Sequence, residues 1–253
     1  MFSSNRFKAI VFDIDGTAIP NQRDAMPSER LKRAIAAAKD RLHLFAASGR
    51  SPVYGAPILK SLGLTDTCIV GAGTTLMNPV TGEILDQALL PITVISRVQH
   101  AVAGYGYDVH LGSTPNAIRP PTLGQPVQQP QPYVLLQKVN DHDITKLMQA
   151  LSHIPAITAA TAPDFDSGHT IQITNHDATK EHRIKLLLTR LGINRSEAIG
   201  IGDGDNDIHL FAAVGHRIAM GNASDQLKSI ADEVAPPVEV DGLAQVIERY
   251  SQA

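Results

Sequence analysis

Apolar residues follow two different rhythms along this chain. In the first, short runs that are apolar throughout alternate with stretches whose apolar positions recur every three or four residues. Lys8–Phe12 (KAIVF) is branched and aromatic and stops at Asp13, as a buried strand ending in a loop does. Ser28–Arg41 carries Leu31, Ile35 and Ala38 at helical spacing behind Pro27-Ser28-Glu29, a helix start. Leu42–Ala46 repeats the strand pattern and ends at Ser48-Gly49-Arg50. Ala56–Leu62 reads as a helix stopped by Gly63, and Cys68–Val70 as a third strand. Buried strands alternating with amphipathic helices predict a parallel sheet covered on both faces.

The second rhythm occupies the middle of the chain. Gly82–Leu90, Tyr107–Leu111, Tyr133–Asn140, Ala156–Ala162 and Thr170–Thr174 read as strands, with Ile92–Ala103 and Asp143–Leu151 as helices between them. Ser113–Pro132 holds six prolines, which rule out a regular helix or a central strand and predict an insertion or rim loop. After Asn175 the first rhythm returns. Lys180–Leu191 is an amphipathic helix closed by Gly192, and Ala198–Ile201 a strand ending at Gly202-Asp203. Ile208–Ala213, Ser224–Ala231 and Leu243–Tyr250 follow as helices, with Arg217–Met220 as a strand. The expected fold is therefore α/β, a Rossmann-like, doubly wound parallel sheet built from residues 1–78 and 179–253. An α+β domain of residues 79–178 is inserted into it. No repeat of solenoid period is present.

Composition narrows the function. At 253 residues, 43% apolar and 19% charged, the chain has ample material for a core. A net charge of -3 argues against nucleic acid and against a polybasic membrane face, but leaves room for a small anionic substrate in a locally positive pocket. The single cysteine, Cys68, excludes an intramolecular disulfide and a thiolate metal cluster, and its apolar run predicts a buried, inert thiol. No stretch approaches the roughly 20 apolar residues of a membrane span. The N-terminal apolar run breaks at once on Asp13 and Asp15, unlike a secretory leader. A cytoplasmic enzyme is expected.

Three predicted strand ends carry the candidate chemistry: Asp13-Ile14-Asp15-Gly16-Thr17, Ser48-Gly49-Arg50 and Gly202-Asp203-Gly204-Asp205-Asn206-Asp207. Open parallel sheets bind ligands beyond the carboxyl ends of their strands, so the three can converge. Rival motifs fail on spacing. Calcium loops need Gly and Glu at the sixth and twelfth positions, where counting from Asp203 gives Ile208 and Val214, and from Asp13 gives Ala18 and Asp24. The dinucleotide fingerprint fails at Leu76 and at Asp207, and no HExxH pair exists among the ten histidines. Carboxylates pressed together near a core repel unless a cation neutralises them. Oxygen ligands without histidine or thiolate select a hard ion, most simply Mg²⁺.

These residues resemble the haloacid dehalogenase superfamily, whose four motifs recur in fixed order. Asp13-Ile-Asp15-Gly-Thr is similar to the first, Ser48-Gly49-Arg50 to the second, Lys180 to the third, and Gly202-Asp203 with Asp207 to the fourth. An insertion between the second and third motifs resembles the Cof-type phosphatase branch with its α/β cap (subclass IIB). The resemblance implies Asp13 as nucleophile and Mg²⁺ ligand, and Asp15 as general acid and then base, with its backbone carbonyl on the metal. Asp203 would ligate the metal directly, and Asn206 and Asp207 directly or through water. Ser48, with Gly49 beside it, and Lys180 would bind the phosphoryl group, and Arg50 would stand at the seam toward substrate and cap. Two places depart from the family pattern. Gly71-Ala72-Gly73 stands where Asn-Gly-Ala is common, and Glu181-His182 follows Lys180 in place of a small residue, predicting a crowded helix start.

Three functions follow. The first is hydrolysis of a small phosphorylated metabolite, such as a sugar phosphate, through an aspartyl-phosphate. The second is a phosphomutase of the phosphomannomutase type, which needs an arginine-rich second phosphate site; residues 78–179 offer only Arg97 and Arg119. The third is a non-catalytic regulator binding a phosphorylated ligand, a role that loss of Asp13, Asp15 or Lys180 would have favoured.

Overall fold

A computed structural model describes residues 6–252, apart from 23, 108, 113–126, 128 and 164–166. Strand β1 (Ala9–Phe12) leads through a loop to helix α1 (Glu29–Ala38), where the Ser28 hydroxyl accepts from the Leu31 N–H and caps the first turn. Strand β2 (His43–Ala46) is followed by helix α2 (Pro52–Leu62). This helix starts four residues before the predicted one. Pro52 occupies its opening turn, where a missing N–H costs nothing, and Pro57 forgoes a single bond one turn later. Gly63 ends it in the left-handed conformation, at φ 72°. Strands β3 (Cys68–Val70), β4 (Thr75–Met77) and β5 (Ile84–Gln87) form a three-stranded sheet.

The chain then enters its inserted part. Helix α3 (Ile92–Val102), strands β6 (Val109–Leu111) and β7 (Tyr133–Val139), helix α4 (Asp141–Ser152), and strands β8 (Ile157–Pro163) and β9 (His169–Asn175) make up this unit. Its antiparallel sheet runs in the order β6-β7-β9-β8. Alternation along β7 buries Val134 and Leu136 on one face, where they join Ile95, Val98, Leu147, Ile171 and Ile173 in a core of their own. Most of the predicted proline-rich loop, Ser113–Pro132, falls outside the described residues.

Helix α5 (Lys180–Arg190) reopens the first unit. Strand β10 (Ala198–Gly202), helix α6 (Ile208–Ala213), strand β11 (His216–Ala219), helix α7 (Asp225–Ser229), strand β12 (Glu233–Val234) and helix α8 (Gly242–Gln252) complete it. The main sheet has the order β12-β11-β10-β1-β2, all parallel. Its strands are buried throughout at the centre, with Phe12, Phe45, Ile10 and Leu44, and Phe211 of α6 packed with them, among the largest hidden side chains. Each such side chain contributes about 1.5–3 kcal/mol. Two compact units result, residues 1–86 with 179–253, and residues 87–178. The change of rhythm in the sequence falls after Asn78, whereas the contacts divide after Asp86, because β4 and β5 extend the small sheet begun by β3.

The register of the central strands positions the chemistry. Phe12 is paired with Ile201 on one side and Ala46 on the other, so β10, β1 and β2 end level. The Asp13 N–H donates to the Ile201 carbonyl at 3.0 Å and the Ala47 N–H to the Phe12 carbonyl at 2.9 Å, carrying the alignment one residue beyond the strands.

Candidate active site

Asp13 follows β1 and is buried there with a lysine. Thr179 caps α5, its hydroxyl accepting from the His182 N–H, and this places Lys180 in the opening turn of the helix. The Lys180 ammonium donates to Asp13 Oδ1 at 2.6 Å and to Asp207 Oδ1 at 2.7 Å. All three side chains are hidden, with Asp207 at 0% exposure. The other Asp207 oxygen accepts from the backbone N–H groups of Asp203 and Gly204, at 3.0 and 3.1 Å. Asp203 Oδ1 accepts from the Thr17 hydroxyl at 2.8 Å. Gly16 turns this loop at φ 77°, and a Cβ there would stand 2.0 Å from Asp203 Oδ2. Only glycine allows the two acidic loops to close on each other.

Burial pushes the Asp13 carboxyl well above the usual range, and the Asp207 and Asp203 charges add to this, with Lys180 opposing. Asp203 is raised to about 6, chiefly by burial, with the Thr17 hydrogen bond opposing. For Lys180, burial alone would depress the ammonium, but the two carboxylates outweigh it and hold it protonated. Three acidic groups against one ammonium leave the cluster short of positive charge.

That deficit fits a hard divalent cation. Asp13, Asp203 and Asp207 each offer an oxygen within 4.8 Å of the other two. Asp207 already spends both oxygens on Lys180 and on two N–H groups, so Asp13 and Asp203 are the carboxylates best placed for direct ligation. Asn206 lies on the exposed turn beside Gly204.

Ser48 is fully buried after β2, and its hydroxyl accepts from the Arg50 N–H at 3.1 Å; Gly49 between them is exposed. Arg50 grips Asp15, the two groups joined at 2.6–3.0 Å through Nε and Nη2, while Nη2 also reaches the Gln22 carbonyl at 3.2 Å. Asp15 is thus held in a bidentate ion pair rather than in the Asp13–Lys180 cluster.

Some of the supporting residues carry no motif. Asn222 donates to the Gly16 carbonyl at 2.8 Å and accepts from the Val238 N–H at 3.0 Å, bracing the loop from the far end of the chain. The helix start after Lys180 is not crowded by Glu181 and His182: Glu181 pairs outward with Lys185 and His182 is exposed. The buried residue there is Arg183. Cys68 is fully buried and its thiol pushed up to about 12, an inert group. Among the described residues, no helix is long and apolar enough to cross a membrane.

The chain is similar to known proteins over most of its length. The model of the haloacid dehalogenase-like hydrolases matches residues 10–247. The chain is 28% identical over 255 residues to YkrA of Bacillus subtilis, which bears a provisional phosphatase name, with 95% of this chain and 96% of that one covered. It is 29% identical over 184 residues to the phosphoglycolate phosphatase of Methanothermobacter thermautotrophicus, covering 68% of this chain and 81% of that one. In fold it is similar to a subclass IIB sugar phosphatase, with TM-score 0.79 and 19% identity over 97% of this chain and all of the other. A Bacteroides thetaiotaomicron phosphatase gives TM-score 0.80 and 19% identity over 100% of this chain and 98% of that one.

Proposed function

Because the chain belongs to the haloacid dehalogenase-like hydrolases, we propose that it is a Mg²⁺-dependent phosphatase using Asp13 as nucleophile on a small phosphorylated metabolite. One observation carries this reading. A buried carboxylate at the tip of the central strand lies 2.6 Å from a buried ammonium and within reach of two further carboxylates.

Asp13 and Asp203, with the Asp15 carbonyl, would hold Mg²⁺, whose charge offsets the repulsion between a carboxylate and a dianionic phosphate. The Asp13 carboxylate attacks phosphorus, the bond from phosphorus to the leaving oxygen breaks, and Asp15 gives that oxygen a proton. Ionised Asp15 then takes a proton from water, which attacks the phosphoaspartate, freeing phosphate and restoring Asp13. Such proton transfer is worth roughly 10²–10⁴ in rate. Lys180 and Ser48, with Gly49, bind the phosphoryl oxygens. Asp207 orients Lys180 and the Asp203 loop, and Asn206 stands at its rim. Asp15 acts as an acid only after leaving Arg50, so substrate entry has to open that pair.

Residues 87–178 are proposed as the cap that selects substrate. The likeness to a sugar phosphatase makes sugar phosphates the first class to test, with phosphoglycolate beside them on account of the archaeal relative. A cytoplasmic location suits such a substrate. A panel of phosphorylated metabolites, assayed with Mg²⁺ and with EDTA, should release inorganic phosphate only with the metal and only when Asp13 is intact. Conversion between monophosphate isomers without phosphate release would instead favour a mutase. Unchanged turnover in Asp13→Asn would overturn the nucleophile assignment.

A further inference from the structure

The 71–73 turn and the opening of α5 are joined in space by one side chain. Arg183 lies on α5 three residues beyond Lys180 and is buried, with its side chain 7% exposed. Its Nε donates to the Gly73 carbonyl at 3.0 Å, and its Nη1 pairs with Asp86, the last residue of the first unit before the inserted one. Gly71, Ala72 and Gly73 all have left-handed backbone, at φ 63°, 56° and 103°. An alanine adopts that conformation only when its surroundings hold it there. The holding bonds run to the phosphate loop: the Ala72 N–H donates to the Ser48 carbonyl at 3.0 Å, and the Gly71 N–H to the Arg50 carbonyl at 2.7 Å. A continuous chain of bonds therefore connects the helix that carries Lys180 to the loop that carries Ser48, with the Arg183 guanidinium as its link on the helix side.

We propose that Arg183 is a positioning residue for the phosphoryl site. By holding the Gly73 carbonyl it fixes the 71–73 turn, and through that turn it sets Ser48 in register with Lys180. Asp86 supplies the countercharge a buried guanidinium needs. The guanidinium of Arg183 anchors the turn from the facing helix. This assignment rests on Ser48 and Lys180 sharing one phosphate, as in the function proposed above.

A double-mutant cycle between Arg183→Gln and Ser48→Ala tests it. The readouts are kcat/KM for p-nitrophenyl phosphate and, independently of turnover, the calorimetric Kd of inorganic phosphate, both in magnesium buffer. Arg183→Gln alone should weaken each about tenfold, the scale of a misplaced binding group. In the Ser48→Ala background the same change should alter each by less than about twofold, because no hydroxyl is left to misplace. Equal factors in both backgrounds would make Arg183 a mere brace and overturn the proposal, as would unchanged phosphate binding in a folded variant. Should Arg183→Gln fail to fold, Arg183→Lys replaces it, keeping a cation opposite Asp86 while losing the fork that spans both partners. Coupled phosphate binding in a wild type without turnover would retire the phosphatase function and leave this assignment standing. Turnover with uncoupled effects would do the reverse, and a wild type that neither binds phosphate nor turns over would overturn both.

Discussion

Replacing Lys180 by methionine removes the one ammonium among three acidic groups while keeping most of the side-chain volume. In the wild type the ammonium lies 2.6 Å from Asp13 and 2.7 Å from Asp207, with all three groups hidden from solvent. Deleting one partner of a buried pair costs about 3–5 kcal/mol, because the remaining charge has no compensation. For a protein of this size each kcal/mol moves Tm by about 2–4 °C, so the variant should melt about 10 °C lower in EDTA at pH 8. The penalty depends on charge, and the sign follows from that. Burial has already raised Asp13 and Asp203, so these carboxyls add to stability when protonated and lose that contribution as pH rises through their folded values. The gap between variant and wild type should therefore be smaller near pH 5 than at pH 8, and shrink again when Mg²⁺ is added at pH 8. Calorimetric scans at the two pH values, with and without the metal, give the answer. A gap that is equal at both pH values and indifferent to Mg²⁺ would refute the electrostatic account of this cluster.

Other consequences can be measured directly. Metal-free wild type should lose about 2.4 kcal/mol between pH 4 and 7 from Asp203 alone, whose carboxyl stands at about 6 rather than 3.8. Urea melts across that range would expose a flat or rising profile as a contradiction. Asp232, held down to about 2 by Arg217, works in the opposite sense, but only at lower pH. Asp203→Asn should weaken Mg²⁺ binding at least about tenfold by calorimetry, with the fold intact by circular dichroism; unaltered affinity would remove Asp203 from the ligand set. Gly16→Ala places a methyl 2.0 Å from an Asp203 oxygen at φ 77°. It should cost about 1–3 kcal/mol in stability and most of the metal affinity, and a variant with normal Mg²⁺ binding would show that the loop is more pliant than its packing implies.

Much of this was legible in the sequence, for physical reasons that differ by element. Strands such as Cys68–Val70 and helices such as Ile208–Ala213 are marked by their own apolar runs and their boundaries match. The two-residue strand Glu233–Val234 and strand Thr75–Met77 carry too few residues for any period to show, and both went unread. The first turn of α2, residues 52–55, was not assigned from the sequence, because its one apolar pair, Val53 and Tyr54, is exposed and sets no period. At the site, acidic residues directly after buried strands announced themselves, and level strand ends bring Asp13 and Asp203 together. What the sequence could not convey is pairing across long separations. Arg50 meeting Asp15, Asn222 bracing Gly16, and Arg183 reaching Gly73 and Asp86 are side-chain bonds set by three-dimensional placement; Arg50 was marked only for its place beside Ser48, and Asn222 and Arg183 carry no motif.

A phosphoryl group carried on Asp13 is the measurement closest to the centre of this account. Enzyme quenched in acid during turnover of a ³²P-labelled substrate should hold label on the peptide containing Asp13. The label should be released by hydroxylamine, chased by unlabelled substrate, and absent from Asp13→Asn. Full phosphate release with no trapped label at any quench time, or label on a peptide elsewhere in the chain, would contradict it.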